Sequence, residues 1–229
     1  MTQTTRQPQL CRPGTEDALE VLDWATRRFA GRLVLSTSLG PQSIVVLDLL
    51  TRLGREVDTV MLDTGLLFNE TYALRQEVQE RFGGEVKRAT GWSLREQEAS
   101  MGPRLWERDP DRCCALRKVA PLRELLGGYE AWISGIRRDQ SPARANAEVV
   151  EWDESFGLVK INPLVAWTRD EVQAYIRLQG LPVNPLLSQG FGSVGCWPCT
   201  HPSADERGGR WVGRAKTECG IHLCPKETT

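Results

Sequence analysis

Seven cysteines stand at positions 11, 113, 114, 196, 199, 219 and 224, and four of them form two tight pairs. Cys113 and Cys114 are adjacent, while Cys196 and Cys199 enclose a Trp-Pro step. Paired thiols drawn from two distant segments form the donor set of a metal centre. Zinc suits adjacent cysteines poorly, because its knuckles space their ligands by two or more residues. An iron–sulfur cluster is larger and accepts neighbouring thiolates on separate irons. The Pro-Asp step at 110–111 opens a helix with both cysteines in its first turn, where the helix dipole eases their negative charge. The reading these residues favour is a 4Fe-4S cluster held by Cys113, Cys114, Cys196 and Cys199. Zinc and inert buried thiols are the alternatives.

A fifth cysteine, Cys219, has Lys216 and His222 within three residues and Gly220 behind it. Nearby cationic groups lower a thiol pKa and make it reactive. Lys118 follows Cys114 by four residues and so shares its helix face. Arg137, Arg138 and Arg144 crowd one loop, and Arg207 and Arg210 follow the second cysteine pair. Arginine forks hold two anionic oxygens at once, so this concentration fits a polyanionic ligand. The Ser36–Ser43 segment reads Ser-Thr-Ser-Leu-Gly-Pro-Gln-Ser, a small-residue turn between a strand and a helix. Free N–H groups at such a turn bind phosphate or sulfate, here through Ser36, Thr37, Ser38, Gly40 and Ser43. No Gly-Lys-Ser/Thr follows, so it is not a Walker loop. It looks instead like a pyrophosphatase-type loop in which Leu39 and Gln42 replace a glycine and an acid. Cys11, Cys224 and His201 have no comparable company.

These residues need a scaffold, and the hydrophobic pattern supplies one. Apolar positions Ala18, Leu22, Ala25 and Phe29 recur at helical spacing, predicting a helix over 16–30. Buried strands are predicted at 32–37, 58–62, near 85–89 and at 131–135, with two short ones around 149–160. Helices are predicted at 43–53, 69–82, 110–126 and 168–179. Alternating strands and helices imply an α/β fold with a mostly parallel sheet and helices on both faces. Ligands of such sheets bind beyond the carboxyl ends of the strands, where Ser36–Ser43 and the Asp-Thr-Gly at 63–65 lie. From about 184 the chain turns rich in Gly, Pro, Ser and Cys. Residues 1–183 therefore read as the nucleotide-binding domain, and 184–229 as an irregular tail completing the metal site.

Composition excludes some classes. Lys plus Arg number 29 against 30 acidic residues, a net charge of −1 that gives no nucleic-acid surface. The most apolar run, 44–50, is too short for a bilayer and contains Asp48. The first residues show no export leader, and an odd cysteine count argues against a disulfide scaffold, so the expectation is a cytoplasmic protein.

Taken together, the chain resembles the bacterial and plant-type adenylyl-sulfate reductases, relatives of the phosphoadenylyl-sulfate reductases. The resemblance runs from about 30 to 222. It rests on the modified phosphate loop, LDTGLLFNETY (62–72), DRCCALRKVAPL (111–122), GIRRDQSPAR (135–144), NPLVAWTRDEV (162–172), GCWPCTHP (195–202), ERGGRW (206–211) and ECGIH (218–222).

The resemblance implies an adenine nucleotide alpha hydrolase-like (Rossmann-like) fold and one 4Fe-4S cluster on the four paired cysteines. It implies that Cys219 attacks the sulfur of adenylyl sulfate, that AMP leaves, and that thioredoxin releases sulfite from the S-sulfocysteine. By the same analogy Lys118, Arg144, Arg207 and Arg210 face the sulfate and phosphate groups, and Leu62 and Gly65 border the adenosine. A thiolate attacking an anionic group requires such positive charge beforehand. Three readings compete: a phosphoadenylyl-sulfate reductase, an ATP-pyrophosphatase such as a tRNA-thiolating enzyme, and a non-catalytic metal or redox module. Relatives devoted to phosphoadenylyl sulfate generally lack both cysteine pairs, which favours adenylyl sulfate. A homo-oligomer stays open, since oligomeric state is not legible here.

Overall fold

The computed structural model describes residues 13–222. Its strands are β1 (Leu33–Thr37), β2 (Asp58–Asp63), β3 (Val86–Thr90), β4 (Ala131–Ile133), β5 (Val150–Asp153) and β6 (Leu158–Ile161). They form one sheet in the order β3-β2-β1-β4-β6-β5. Every neighbouring pair is parallel except the β5–β6 hairpin at the edge. This is the mostly parallel α/β sheet that the alternation of elements predicts.

Side-chain alternation along the strands divides the interior in two. Leu33, Leu35, Met61, Ile133 and Ile161 point to one core, covered by α1 (Ala18–Arg28), α2 (Pro41–Arg52), α3 (Asn69–Phe82) and α8 (Arg169–Gln179). Their neighbours Val34, Val60 and Trp132 point to the other core, against Leu122 and Leu126 of α7 (Ala120–Leu126) and Ile221 of the tail. Helices thus cover both faces.

Element bounds depart from the pattern where local chemistry intervenes. α2 starts at Pro41, two residues before the apolar pattern begins, because proline lacks the N–H that a first helical turn leaves unpaired. Between β3 and Pro110 the chain forms α4 (Leu94–Met101) and α5 (Leu105–Arg108), which the periodicity does not reveal. A capping box starts α4: Glu96 N–H donates to Ser93 Oγ at 3.2 Å, and Ser93 N–H donates to Glu96 Oε2 at 2.7 Å. The helix expected over 110–126 is three pieces in one run: α6 (Pro110–Cys114), a π-helical turn (Ala115–Val119) and α7. Beyond Asn184 the described residues of the tail form only short 3₁₀ turns and two bridges, Leu67 to Cys196 and Thr200 to Arg210.

Candidate active site

The site lies beyond the carboxyl ends of the central strands. After β1, Thr37 Oγ1 donates to Ser43 Oγ at 2.7 Å and accepts from Leu39 N–H at 2.8 Å. Ser43 Oγ passes its own proton to the Gly40 carbonyl at 2.9 Å. These bonds close the turn ahead of α2. Leu39, at the glycine position of the pyrophosphatase-type loop, adopts the left-handed conformation with φ 56° and buries its side chain. Gln42, at the acid position, donates to Glu206 Oε1 at 3.4 Å.

After β2, the Asp63 carboxylate accepts from Gly65 N–H at 2.9 Å and from the Tyr72 hydroxyl at 2.8 Å. Burial first, and then Asp63, push the Tyr72 phenol up to about 12. The same loop reaches the cysteines. Arg117 Nη1 donates to the Thr64 carbonyl at 2.6 Å, and Trp197 N–H donates to the Leu66 carbonyl at 2.8 Å. Arg117 is itself held by Gln97 Oε1 at 2.6 Å, which gives the unforeseen α4 a part in the site.

Cys113, Cys114, Cys196 and Cys199, from α6 and the tail, line one small pocket with Trp106, Arg117 and Lys118. Burial, followed by the charge of neighbouring cysteines, drives the Cys113 thiol up to about 12. Burial likewise takes Cys114 to about 11 and raises Cys199. Cys196 goes the other way. Burial disfavours its thiolate, but Lys118, the Thr64 hydroxyl and Arg210 together outweigh that and lower its pKa. Among the described residues, no group of three or more His, Cys, Asp or Glu side chains is arranged to hold a metal ion. All five described cysteines are free thiols.

A larger cavity of about 320 Å³ adjoins this pocket, and Thr64, Lys118 and Trp211 line both. Around it stand Ser36, Thr37, Ser38, Gly40, Ser43, Leu62, Lys118, Arg144, Arg207, Arg210 and Cys219. Of the residues predicted to meet substrate, Gly65 alone is outside this lining; its amide is turned to Asp63 instead. Burial works against the Lys118 charge, but the sulfurs of Cys196, Cys219 and Cys114 outweigh it and raise its pKa. Burial and the nearby Arg144 charge lower Arg207. Arg210 lies over the Trp211 ring at 4.7 Å and against the bare backbone of Gly195, where a Cβ would come within 2.4 Å of its guanidinium. His222 stacks on Trp132 with ring centroids 5.5 Å apart; burial first, then Arg144, Lys160 and Arg207, hold its pKa well below the usual histidine value.

The basic loop after β4 splits in function. Arg137 is fully buried and pairs with Asp139 at 2.8 Å and Glu206 at 2.8 Å, so it fastens the loop to the tail. Arg138 pairs with Glu16 at 3.1 Å. Only Arg144 of the three lines the cavity. Sequence reasoning missed Thr64, Arg117, Glu206 and Glu218, although all four lie inside motifs that it used. Cys11 and Cys224 lie outside the described residues.

The sheet is of the adenine nucleotide alpha hydrolase-like kind, and it carries a cation-rich cavity and a group of thiols at its strand ends. The sheet is shared with FMN adenylyltransferase from Candida glabrata at 16% identity, with a TM-score of 0.60 over 82% of this chain and 64% of that one. At that identity the likeness concerns the fold alone. The chain belongs to the phosphoadenosine phosphosulfate reductase domain family, which it matches over residues 32–202. It is 47% identical over 211 residues to adenosine 5'-phosphosulfate reductase 2 of Bacillus subtilis, covering 90% of this chain and 89% of the relative. It is 48% identical over 209 residues to adenosine 5'-phosphosulfate reductase of Streptomyces coelicolor, covering 90% and 88%. Among solved structures it is similar to the phosphate complex of phosphoadenylyl-sulfate reductase from Candida auris. There identity is 34% and the TM-score 0.70, over 81% of this chain and 90% of that chain.

Proposed function

We propose that this protein reduces adenylyl sulfate to sulfite and AMP, with Cys219 as nucleophile and thioredoxin as the final reductant. One observation carries the reading: Cys219 shares a cavity with the Ser36–Ser43 loop and with Lys118, Arg144, Arg207 and Arg210. The Cys219 thiolate attacks the sulfuryl sulfur, the bond from that sulfur to the bridging oxygen breaks, and AMP leaves with the electron pair. The enzyme then carries a sulfonate on Cys219. A thioredoxin thiolate attacks the Cys219 sulfur, sulfite departs with the electrons of the S–S bond, and the second thioredoxin thiol resolves the mixed disulfide. Lys118 and the arginines stabilise negative charge developing on the sulfuryl and phosphate oxygens. The Ser36–Ser43 turn receives the phosphate through its N–H groups, and Leu62 borders the adenosine. Gly65 is not assigned a substrate contact.

Cys113, Cys114, Cys196 and Cys199 are the residues that would hold a 4Fe-4S cluster. The donor chemistry fits: four thiols line one pocket, with a cation at Lys118 and a hydroxyl at Thr64 to offset thiolate charge. A single ion draws its thiolates to about 2.3 Å of one point, whereas a cluster spreads them over several irons. When bound, the cluster would supply local charge that organises Lys118. Adenylyl sulfate is favoured over its 3′-phosphorylated form by the two cysteine pairs and by the names of the relatives. Five free thiols suit a reducing compartment, and the cytoplasm is the proposed location. No helix among the described residues is long and apolar enough to cross a membrane. Residues 184–229 are proposed as the segment that completes the cysteine site and carries the nucleophile.

The test is sulfite release by anaerobically purified protein given adenylyl sulfate and reduced thioredoxin, alongside its visible spectrum. Sulfite together with a broad band near ~400 nm supports the reading. A colourless protein that makes no sulfite, or a Cys219→Ser variant that still makes it, overturns it.

A further inference from the structure

The tail reaches the cavity through a buried carboxylate. Glu218 directly precedes Cys219, and its side chain is 3% exposed. Arg144 Nη2 donates to Glu218 Oε2 at 3.0 Å and Arg207 Nη2 donates to the same oxygen at 2.8 Å. The Ser141 hydroxyl donates to Oε1 at 3.0 Å. Arg207 also donates to the Thr217 carbonyl at 2.8 Å, so one guanidinium grips both the backbone and the side chain of the tail. A buried carboxylate with one partner removed leaves an uncompensated charge, so this arrangement is stable only when all its members are in place. Ile221 then packs into the core beneath, with Val34, Trp132 and Leu122.

The clasp also divides the cations. Arg144 and Arg207 share one carboxylate and together present a single net positive charge. Lys118 and Arg210 pair with no carboxylate of the described residues; their charges act on the sulfurs of Cys196 and Cys199, and for Lys118 also on Cys114 and Cys219.

We infer that Glu218 is a positioning residue: its carboxylate, held by Arg144, Arg207 and Ser141, docks the tail so that Cys219 faces the cavity. In doing so it leaves Lys118 and Arg210 as the cations for the sulfuryl group. The inference rests on the reading of Cys219 as nucleophile. It assigns Arg144 and Arg207 first to the tail and only second to substrate.

The consequence for kinetics has an uncommon sign. Glu218→Gln keeps the shape but frees two guanidinium charges, so binding of the anionic nucleotide strengthens while the nucleophile is held less firmly. The expected result is a kcat on the order of 10²-fold lower with a KM for adenylyl sulfate about two- to fivefold lower. Amide hydrogen exchange over 214–222 in the free protein rises at least about tenfold. Glu218→Asp, which keeps the charge, restores KM and part of the tail protection. Wild-type exchange rates in Glu218→Gln, or a KM that rises with kcat unchanged, overturn the inference. A wild-type protein that makes no sulfite overturns the nucleophile reading instead, and the exchange arm, which needs no substrate, still decides whether the clasp exists.

Discussion

The Thr64 hydroxyl lies 3.2 Å from the Cys196 sulfur, so the loop after β2 borders the cysteine pocket as well as the larger cavity. A hydroxyl at that distance offsets thiolate charge, and it contributes to the lowered pKa of Cys196. Thr64→Val keeps the shape and removes the donor. Outer partners of metal-bound groups are worth about 10–100-fold in metal retention. In protein loaded with the proposed cluster, the variant is expected to lose iron to a chelator at least about tenfold faster than wild type, read from the decay of its visible absorption. Equal decay rates would remove Thr64 from the site.

Gly195 is the floor on which Arg210 rests, since a Cβ there would sit 2.4 Å from the guanidinium. Gly195→Ala displaces a flexible side chain, so the melting temperature stays near that of wild type. Losing a charged hydrogen bond costs about 1.5–3 kcal/mol. KM for adenylyl sulfate should therefore rise roughly tenfold or more, measured by steady-state sulfite release. An unchanged KM would mean that Arg210 does not meet substrate.

Leu39 holds a left-handed backbone and a buried side chain together. Truncation to alanine loses the burial and keeps the backbone strain, whereas truncation to glycine loses the burial and relieves it. Leu39→Ala should cost about 3–5 kcal/mol in urea unfolding. Leu39→Gly should cost about 1 kcal/mol less, the reverse of the order seen in ordinary helices.

His222 provides a pH signature. Its folded pKa lies well below 6.5, so the unfolded chain binds the extra proton first as pH falls. Stability from this group is complete above the unfolded value and declines as pH drops below it, by up to about 1.4 kcal/mol per unit. Denaturant unfolding between pH 7 and pH 5 should show this loss, and His222→Phe should remove that part of it. An identical pH slope in the variant would refute the assignment.

Much of this molecule is legible in its sequence, for reasons that also explain the gaps. α3 falls at Asn69–Phe82, as its pattern predicts, because an apolar stripe and Gly83 bound it. The four paired cysteines line one small pocket, two from α6 and two from the tail. The α4–α5 stretch is short and polar, and only Ser93 and Glu96 announce it. Gly65 sits in the right motif but serves the turn, since a sequence match does not say which atoms face a cavity. The basic run at 137–144 gives no sign that Arg137 turns inward to Glu206 while Arg144 lines the cavity. Glu218 lies 74 residues from Arg144 along the chain, and no local spacing connects them.

The π-helical turn at Ala115–Val119 works as a phase adjuster. Ahead of it, Cys113 and Cys114 are aimed at the cysteine pocket; behind it, Leu122 and Leu126 are aimed at the sheet. An uninterrupted α-helix of the same length has one angular register and could satisfy only one of these partners. The widened turn, with its i→i+5 bonds, decouples the two settings within a single rod. Arg117 and Lys118 ride on the joint itself, so their aim depends on its winding. Straightening this rod, by design or by drift, would leave every residue type in place and still point two cations in the wrong direction.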